Sequence, residues 1–323
     1  MLSRVAENLY WMARYLERAE GTARLINTTT QVLLDLPRGA TFGWDVLLKV
    51  AGLDTLFAEH YAQANEANIM RFLIQDEQNP SAVLSSIRFA RENSRTFRET
   101  LPKEFWERVN ALYLYMQQRS VGAAESEAMR YEVLNHVIER RQSIVGLLTG
   151  CMSHDLAYQF IEVGRNVERA DMTTRIVDIN CAVLLPHDGG SLEPMHERLW
   201  MSVLKALSAY QMYRRHVSVR VRGTEVVEYL LKDPHFPCTV QHCLGEIEGC
   251  LATLSNNNAA MRAVRRAWRR VAAMQFEGLR PAVLHEYLDQ VQADLAAIHS
   301  AVSEQYFSLH QQQGSATARA VNQ

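Results

Sequence analysis

The stretch RYLERAEGTARL, residues 14–25, occurs again in altered form as RNVERADMTTRI at residues 165–176. Six of the twelve aligned positions are identical, where average composition would give about one. The identical pairs are Arg14/Arg165, Glu17/Glu168, Arg18/Arg169, Ala19/Ala170, Thr22/Thr173 and Arg24/Arg175. Neither stretch contains Pro, and apolar residues recur around each at helical spacing. The sequence therefore predicts two matching helices, and these decide the fold.

The similarity continues beyond the two helices. WDVLLK at 44–49 corresponds to WMSVLK at 200–205, and FLIQD at 72–76 corresponds to YLLKD at 229–233. We infer an internal duplication with pseudo-repeats at about 1–150 and 151–310. Two long copies do not make a solenoid, so we expect a bundle with pseudo-two-fold symmetry.

Helical periodicity covers nearly the whole chain, and no segment shows the alternation of a strand. Predicted helices cover 2–34, 44–51, 53–64, 66–75, 81–100, 103–119, 125–149, 154–184, 193–216, 223–232, 239–254, 257–275 and 281–310. The prediction is an all-α helical bundle without β-sheet, forming one domain over 1–310. The polar tail 311–323 has no periodic apolar face, and we expect it to be disordered.

Composition excludes several classes of protein. With 34 Lys and Arg against 36 Asp and Glu, the chain has no overall attraction to nucleic acid or to an acidic membrane. No apolar run is long enough for a transmembrane span, and the first residues lack the pattern of a secretory leader. The five Cys form no disulfide-like framework. We therefore expect a cytoplasmic protein.

The repeated phrase places an Arg/Glu stripe on each helix, opposite an apolar face. We expect (i, i+3) pairs at Arg14–Glu17 and Arg165–Glu168. The planar guanidinium group of Arg binds a carboxylate or phosphate through two parallel hydrogen bonds, which the ammonium group of Lys cannot do.

Three interpretations of the stripe remain open. It is a solvated face with weak ion pairs, a buried network that joins the two copies, or a polar cleft where several Arg bind an anion. The last two are compatible. The candidate ligand-binding residues are Arg14, Glu17, Arg18, Arg24, Arg165, Glu168, Arg169 and Arg175.

The opening MLSRVAENLYWMARYLERAEGTARL resembles the start of the bacterial alpha-E proteins, an all-helical family with a Glu-Arg motif. That motif stands here as Glu17-Arg18 and again as Glu168-Arg169, within VGRNVERADMTTRIVD (163–178). The resemblance extends to about residue 310. Gly21 departs from the family pattern, where a side chain is expected, and Gly costs about 1 kcal/mol of helix propensity.

The resemblance implies an association with circularly permuted ATP-grasp ligases, and with transglutaminase-like peptidases or proteasome-like hydrolases, in making or processing peptide or amide bonds. We therefore predict a non-catalytic accessory component whose Arg/Glu centre binds an anionic ligand or partner. One alternative is an enzyme that uses Glu17 or Glu168 as a general base. The other is a purely structural interaction protein.

A second basic segment, RAVRRAWRR at 262–270, places five Arg on one helical face, with Val264, Trp268 and Val271 opposite. A solvated face, a docking site for a protein partner and a nucleic-acid contact all fit this pattern. Nucleic acid is the least favoured of the three. The predicted partner-binding residues are Arg262, Arg265, Arg266, Arg269 and Arg270.

Metal and cofactor signals are weak. His235, Cys238, His242 and Cys243 lie close together in HFPCTVQHC, but the adjacent His242 and Cys243 would point in different directions on a helix. The sequence has no G-x-S-x-G, P-loop or H-E-x-x-H motif. Arg beside the repeated Glu also disfavours a di-metal bundle site. We expect no metal and no cofactor.

Overall fold

The computed structural model of the protein describes residues 3–35, 43–183, 193–276 and 280–307. These residues form fourteen α-helices and one short 3-10 turn, and none of them forms a strand. The first seven helices are α1 (Ser3–Asp35), α2 (Val46–Ala51), α3 (Asp54–His60), α4 (Glu66–Ile74), α5 (Val83–Thr96), α6 (Lys103–Glu125) and α7 (Glu127–Cys151). The next seven are α8 (Leu156–Val183), α9 (Glu193–Ala206), α10 (Tyr210–His216), α11 (Gly223–Lys232), α12 (Val240–Ala252), α13 (Asn258–Ala273) and α14 (Pro281–Tyr306). The all-α prediction is confirmed.

The two helices of the repeated phrase, α1 and α8, pack against each other along their length. Tyr10 lies against Gly164, and Gly21 lies against Met172. Residue numbers therefore increase in the same direction along both helices, so the helices run parallel. Gly is required at position 164, because an added Cβ would overlap the Tyr10 carbonyl oxygen, which is backbone and cannot move aside. At Gly21 an added Cβ would overlap the Met172 side chain, which would have to shift. Gly21, which departs from the family pattern, therefore lies opposite the residue that corresponds to it in the second phrase.

The helices around this pair follow the same order in each half. In the first half α1 packs on α5 and α7, and α6 packs on both α5 and α7. In the second half α8 packs on α12 and α14, and α13 packs on both of these. Across the halves, α9 packs on α1 and α2 packs on α8. One cluster of buried apolar side chains extends from Ala6 to Phe307 and includes both halves. The duplication and the single-domain assignment stay predictions.

Three predicted helices are wrong in their extent. The segment predicted as a helix over 81–100 is α5 followed by the 3-10 turn at Arg98–Thr100, and α6 continues to Glu125, beyond the predicted end at 119. The segment predicted as a single helix over 193–216 is divided into α9 and α10, because Ser208 between them has a positive φ of 56°. The chain turns there without the Gly that usually adopts this conformation. The predicted disordered tail, 311–323, lies outside the described residues.

Candidate functional site: an arginine–carboxylate centre

Twelve charged side chains meet where α1 packs against both α8 and α7. We call them the arginine–carboxylate centre, and each has less than a fifth of its side-chain surface exposed. Its members are Arg14, Glu17, Arg18, Glu20, Arg24, Arg141, Glu162, Arg165, Glu168, Arg169, Asp171 and Arg175. The stripe is therefore not a solvated face. The reason is that α5, α7, α12 and α14 cover the α1–α8 pair.

The two Glu-Arg motifs exchange partners across the helix pair. Arg18 donates to both oxygens of Glu168, from Nε at 2.5 Å and from Nη2 at 3.0 Å. Arg169 donates to both oxygens of Glu17, from Nε at 2.9 Å and from Nη2 at 3.3 Å. Each guanidinium thus binds the opposite carboxylate through two hydrogen bonds, which fixes the register of the two helices.

Arg14 and Arg165 differ although they occupy the same position in the repeat. Arg14 Nε donates to Glu168 Oε2 at 2.7 Å, so it also crosses to the opposite helix. Arg165 instead pairs with Glu162 on its own helix. The (i, i+3) pairs expected at Arg14–Glu17 and Arg165–Glu168 are therefore wrong, since both Glu residues bind Arg side chains from other helices.

Arg141 of α7, rather than Arg165, is the second Arg that binds Glu17 beside Arg169. Arg141 contacts Glu17 and lies 2.8 Å from Glu20 through Nη1. It is almost completely buried, at 5% exposure.

The outer pair, Arg24 and Arg175, anchors helix ends. Arg24 binds Glu20 four residues earlier and donates to the Ala206 carbonyl at the end of α9. Arg175 binds Asp171 four residues earlier and donates to the Val50 carbonyl, in the last turn of α2, at 2.6 Å. A cation there satisfies a carbonyl that has no partner within the helix, and it complements the helix dipole. Each half of the chain thus caps a helix of the other half.

The centre contains seven Arg and five carboxylates, so it carries an excess of two positive charges. Burial opposes ionisation of Glu168, but the nearby Arg18 and Arg14 outweigh it and lower the pKa of Glu168 to about 2. Glu168 is therefore ionised at neutral pH, and its low pKa makes it a weak base.

A short polar chain leads away from Arg14. Arg14 Nη1 lies 3.4 Å from the Tyr10 hydroxyl, which lies 2.9 Å from His299 Nδ1. Burial, followed by the charge of Arg14, lowers the pKa of His299 to about 4. At neutral pH His299 is uncharged, so it adds no further positive charge to the centre. The Arg14 guanidinium also lies 5.0 Å from the centroid of the Trp11 ring, which restricts its orientation.

Two clefts of unequal size flank the centre. The wide cleft, of about 460 Å³, lies towards α14 and is lined by Arg14, Arg18, Arg175, Glu168 and Asp171 among others. The narrow cleft, of about 240 Å³, lies towards α7 and is lined by Arg24, Arg141, Arg169, Glu17 and Glu20 among others.

All eight predicted ligand-binding residues lie in this centre, but their role as ligand contacts stays a prediction. Four further members of the centre, Glu20, Asp171, Arg141 and Glu162, are not among the residues predicted from the sequence. A signal for Arg141 was present, because Leu134, Val137, Arg141, Ile144 and Leu148 recur at spacings of three and four residues and all five are buried. A charged residue in such a stripe indicates a buried ion pair. Glu20 and Asp171 occupy matching positions of the repeat, and this match is the sequence signal for both.

The predicted partner-binding face on α13 is only partly available. Arg266 and Arg270 both bind the buried Asp294 of α14, at 3.2 and 2.5 Å. Trp268, expected on the apolar side of α13, is 40% exposed. Arg262, Arg265, Trp268 and Arg269 remain as an exposed surface, although Arg265 also contacts Glu248.

The His/Cys segment does not assemble a metal site. His242 Nδ1 lies 2.9 Å from the Pro234 carbonyl oxygen, and the Cys243 thiol is directed at the Pro237 carbonyl. Among the residues that the structure describes, no group of three or more His, Cys, Asp or Glu side chains is placed to hold a metal ion. No helix in those same ranges is both long and apolar enough to cross a membrane.

Comparison with known proteins identifies a family. Residues 1–307 match Alpha-E, described as a predicted alpha-helical domain with a conserved ER motif. An uncharacterised protein of Mycobacterium bovis and one of Mycobacterium tuberculosis are each 22% identical over 280 residues, which is 81% of this chain. The chain spans 31% of the length of these relatives. No solved structure matches.

Proposed function

Because this chain belongs to the Alpha-E family, we propose that it is a non-catalytic binding component of an ATP-grasp-type peptide or amide ligase system. Its arginine–carboxylate centre holds an anionic group of a ligand or partner in the wide cleft. The association with a circularly permuted ATP-grasp protein, and with a transglutaminase-like peptidase, comes from the family resemblance. The proposal places the protein in the cytoplasm.

The excess of positive charge in the centre carries the proposal. Charges removed from water are costly unless they are compensated, and five carboxylates do not compensate seven Arg. On the side of the wide cleft, Arg14 and Arg18 share Glu168, and Arg175 pairs with Asp171. Three Arg thus form direct ion pairs with two carboxylates there, and Asp178, whose charge also acts on Arg175, is itself bound by His285. An anion in the wide cleft would compensate the third Arg.

The wide cleft also has the volume and lining of a ligand site. About 460 Å³ is within the range of pockets that hold small molecules. Leu25, Leu53, Leu73 and Leu295 line it beside the three Arg, so it offers apolar contacts next to a concentrated positive charge. An anionic group attached to an apolar or amide-containing body fits this arrangement.

The general-base alternative is weaker. A pKa of about 2 leaves Glu168 with little tendency to accept a proton at neutral pH. Glu17 is bound by Arg169 at both oxygens and is also contacted by Arg141. These carboxylates are better suited to hold guanidinium groups in position than to accept a proton from a substrate.

The structural alternative has one observation in its favour. Each of the seven Arg contacts at least one carboxylate. If the network only joins the halves, anions will not bind to the wide cleft, and a binding experiment separates the two proposals.

Isothermal titration calorimetry with inorganic phosphate, pyrophosphate and succinate tests the binding proposal. The variant is Arg18→Lys, which keeps the charge but loses the two-point fork beside the wide cleft. The matched control is Arg169→Lys, which makes the same change beside the narrow cleft. We expect Arg18→Lys to weaken binding about tenfold and Arg169→Lys to change it by less than about twofold.

The absence of binding by all three anions would contradict the proposal and favour the structural alternative. An equal loss in both variants would contradict the assignment to the wide cleft. Thermal melts of both variants show whether each remains folded.

The partner proposal uses the exposed surface of α13. Arg and Trp are both enriched at the energetic centres of protein interfaces. Arg262→Glu together with Arg269→Glu is expected to reduce co-purification with the circularly permuted ATP-grasp protein about tenfold, whereas Arg119→Glu on the exposed face of α6 leaves it unchanged. Unchanged recovery with the α13 variant would contradict docking at this surface.

A further inference from the structure

A third cavity, distinct from the two clefts, lies between α1, α7 and α9. Its volume is about 780 Å³, and we call it the amide groove because four amide side chains line it: Asn27, Gln31, Asn135 and Gln142. The groove adjoins the narrow cleft, since Arg24, Gln142 and Ser208 line both.

The amides present both donors and acceptors to the groove. Asn27 Nδ2 donates to Asn135 Oδ1 at 3.2 Å, and this bond uses one group of each side chain. A side-chain amide has a carbonyl oxygen and two N–H groups, the same chemistry as a peptide bond. The four amides therefore suit a chain that alternates N–H and C=O groups.

The charge of the groove favours an acidic occupant. Three basic residues line the groove, namely Arg24, Arg198 and Lys205, and Glu139 is the acidic residue among its described lining residues. The narrow-cleft side of the arginine–carboxylate centre also holds one uncompensated positive charge, and Arg24 belongs to both sites.

The second half lacks this arrangement at the corresponding positions. Asp178 follows Arg175 by three residues, as Asn27 follows Arg24, and it binds His285 Nδ1 at 2.8 Å. The buried residues Leu288, Val291 and Ile298 of α14 recur at the spacing of Leu134, Val137 and Ile144 of α7, which places Leu295 at the position of Arg141. His285, ten residues before Leu295, therefore takes the position of Tyr131. Where the second half has an acid–histidine pair that bridges α8 and α14, the first half has uncharged amides along a groove.

We propose that the amide groove binds an extended peptide segment that carries an acidic group. Backbone N–H and C=O groups of the segment pair with the four amides, and its carboxylate lies towards Lys205 and Arg24. A polyol such as an oligosaccharide fits less well, because sugar rings pack on aromatic faces and Tyr131 is the single aromatic side chain among the described residues of the lining. This site does not depend on the anion proposed for the wide cleft.

The test is NMR titration of the side-chain NH2 resonances of Asn27, Gln31, Asn135 and Gln142. The probe is a pool of acetylated hexapeptides of random sequence with one fixed Glu. Acetate and chitotetraose are titrated separately. We expect the peptide pool to shift these resonances and the other two probes to leave them unchanged.

Two variants and one matched control accompany the titration. Asn27→Asp with Asn135→Asp places acidic side chains along the groove, and Gln31→Glu adds a charge at an exposed position where folding is not at risk. Both are expected to raise the titration midpoint about tenfold or more. Asp289 lies six residues before Leu295, as Asn135 lies six residues before Arg141. Asp178→Asn with Asp289→Asn, the reverse change in the second half, is expected to leave the midpoint unchanged.

The proposal is overturned if the peptide pool shifts none of the groove amides, or if acetate alone reproduces the shifts. Shifts produced by chitotetraose and not by peptide would assign the groove to a sugar instead. If the peptide pool shifts the remaining amide resonances with an unchanged midpoint in both groove variants, the peptide binds elsewhere.

Discussion

The two sides of the α1–α8 pair carry the same repeated residues but differ in the space beside them. Towards α14 the wide cleft holds about 460 Å³, and towards α7 the narrow cleft holds about 240 Å³. Arg18 and Arg169 make equivalent bonds on the two sides, and so do Arg24 and Arg175. The repeated phrase therefore builds these two bonds twice, whereas Arg14 and Arg165 differ in their partners.

The helix that covers each side makes the difference. Leu134, Val137 and Ile144 of α7 match Leu288, Val291 and Ile298 of α14 at the same spacing, and all six are buried. At the matching position α7 has Arg141 where α14 has Leu295. Arg141 reaches into the centre and contacts two carboxylates, whereas Leu295 only borders the cleft. A repeated motif thus determines which charges meet, and its non-repeated neighbours determine whether a ligand has room.

The largest expected effect comes from removing the shared carboxylate on the wide side. Glu168→Gln leaves Arg14 and Arg18 buried without a charged partner, and we expect a loss of about 3–5 kcal/mol in the free energy of unfolding, measured by urea denaturation. Glu77→Gln is the control, because Glu77 is 73% exposed in its pair with Arg88 and should cost at most about 1 kcal/mol.

The difference between wild type and Glu168→Gln should also depend on pH. The folded pKa of about 2 lies below the ordinary value of 4.5, so the stabilisation is complete above about pH 5 and disappears as pH falls towards 2. A difference that stays constant from pH 7 to pH 2 would show that the pairs around Glu168 do not contribute.

Arg141→Leu gives α7 the side chain that α14 has at the matching position. Arg141→Leu removes one of two partners from both Glu17 and Glu20, each of which keeps another Arg. We therefore expect a smaller loss than for Glu168→Gln, about 2–3 kcal/mol by urea denaturation. Arg88→Leu, at an exposed pair, controls for the loss of an Arg. If Arg141→Leu is neutral, the two sides do not differ as described.

Much of this arrangement could be predicted from the sequence, and the remainder could not for physical reasons. The identity of Arg18 and Arg169 predicted equivalent roles, and the structure gives them equivalent bonds. The identity of Arg14 and Arg165 predicted the same, but their partners differ because Arg141 already contacts Glu17. Which Arg binds Glu17 depends on which helix packs nearby, and the periodicity of one helix carries no information about its neighbours. The turn at Ser208 had no Gly or Pro to indicate it.

A large side chain placed in the wide cleft should weaken anion binding without lowering the stability of the fold. Ala296 lines the wide cleft and is exposed, so Ala296→Trp fills space without entering the core. We expect pyrophosphate affinity to fall about tenfold, or about 1.4 kcal/mol. The matched control is Gln142→Trp, which follows Arg141 on α7 as Ala296 follows Leu295 on α14. Equal effects of the two variants would contradict the assignment.

We expect the smallest change in stability from a variant at the contact between Gly21 and Met172, which occupy matching positions of the two phrases. Gly21→Ala places a methyl group against Met172, and we expect a loss of about 1 kcal/mol despite the better helix propensity of Ala. In a Met172→Ala background the same change should stabilise the protein by up to about 1 kcal/mol. A double-mutant cycle in urea measures the coupling, and additive effects would mean that the two positions do not touch.

Crystals grown with selenate would show whether an anion binds beside Arg14, Arg18 and Arg175. We expect an anomalous difference peak in the wide cleft, within hydrogen-bond distance of one of these Arg, and none in the narrow cleft that Arg141 lines. A wide cleft without a peak at saturating selenate, or a peak only beside Arg141, would contradict the binding proposal.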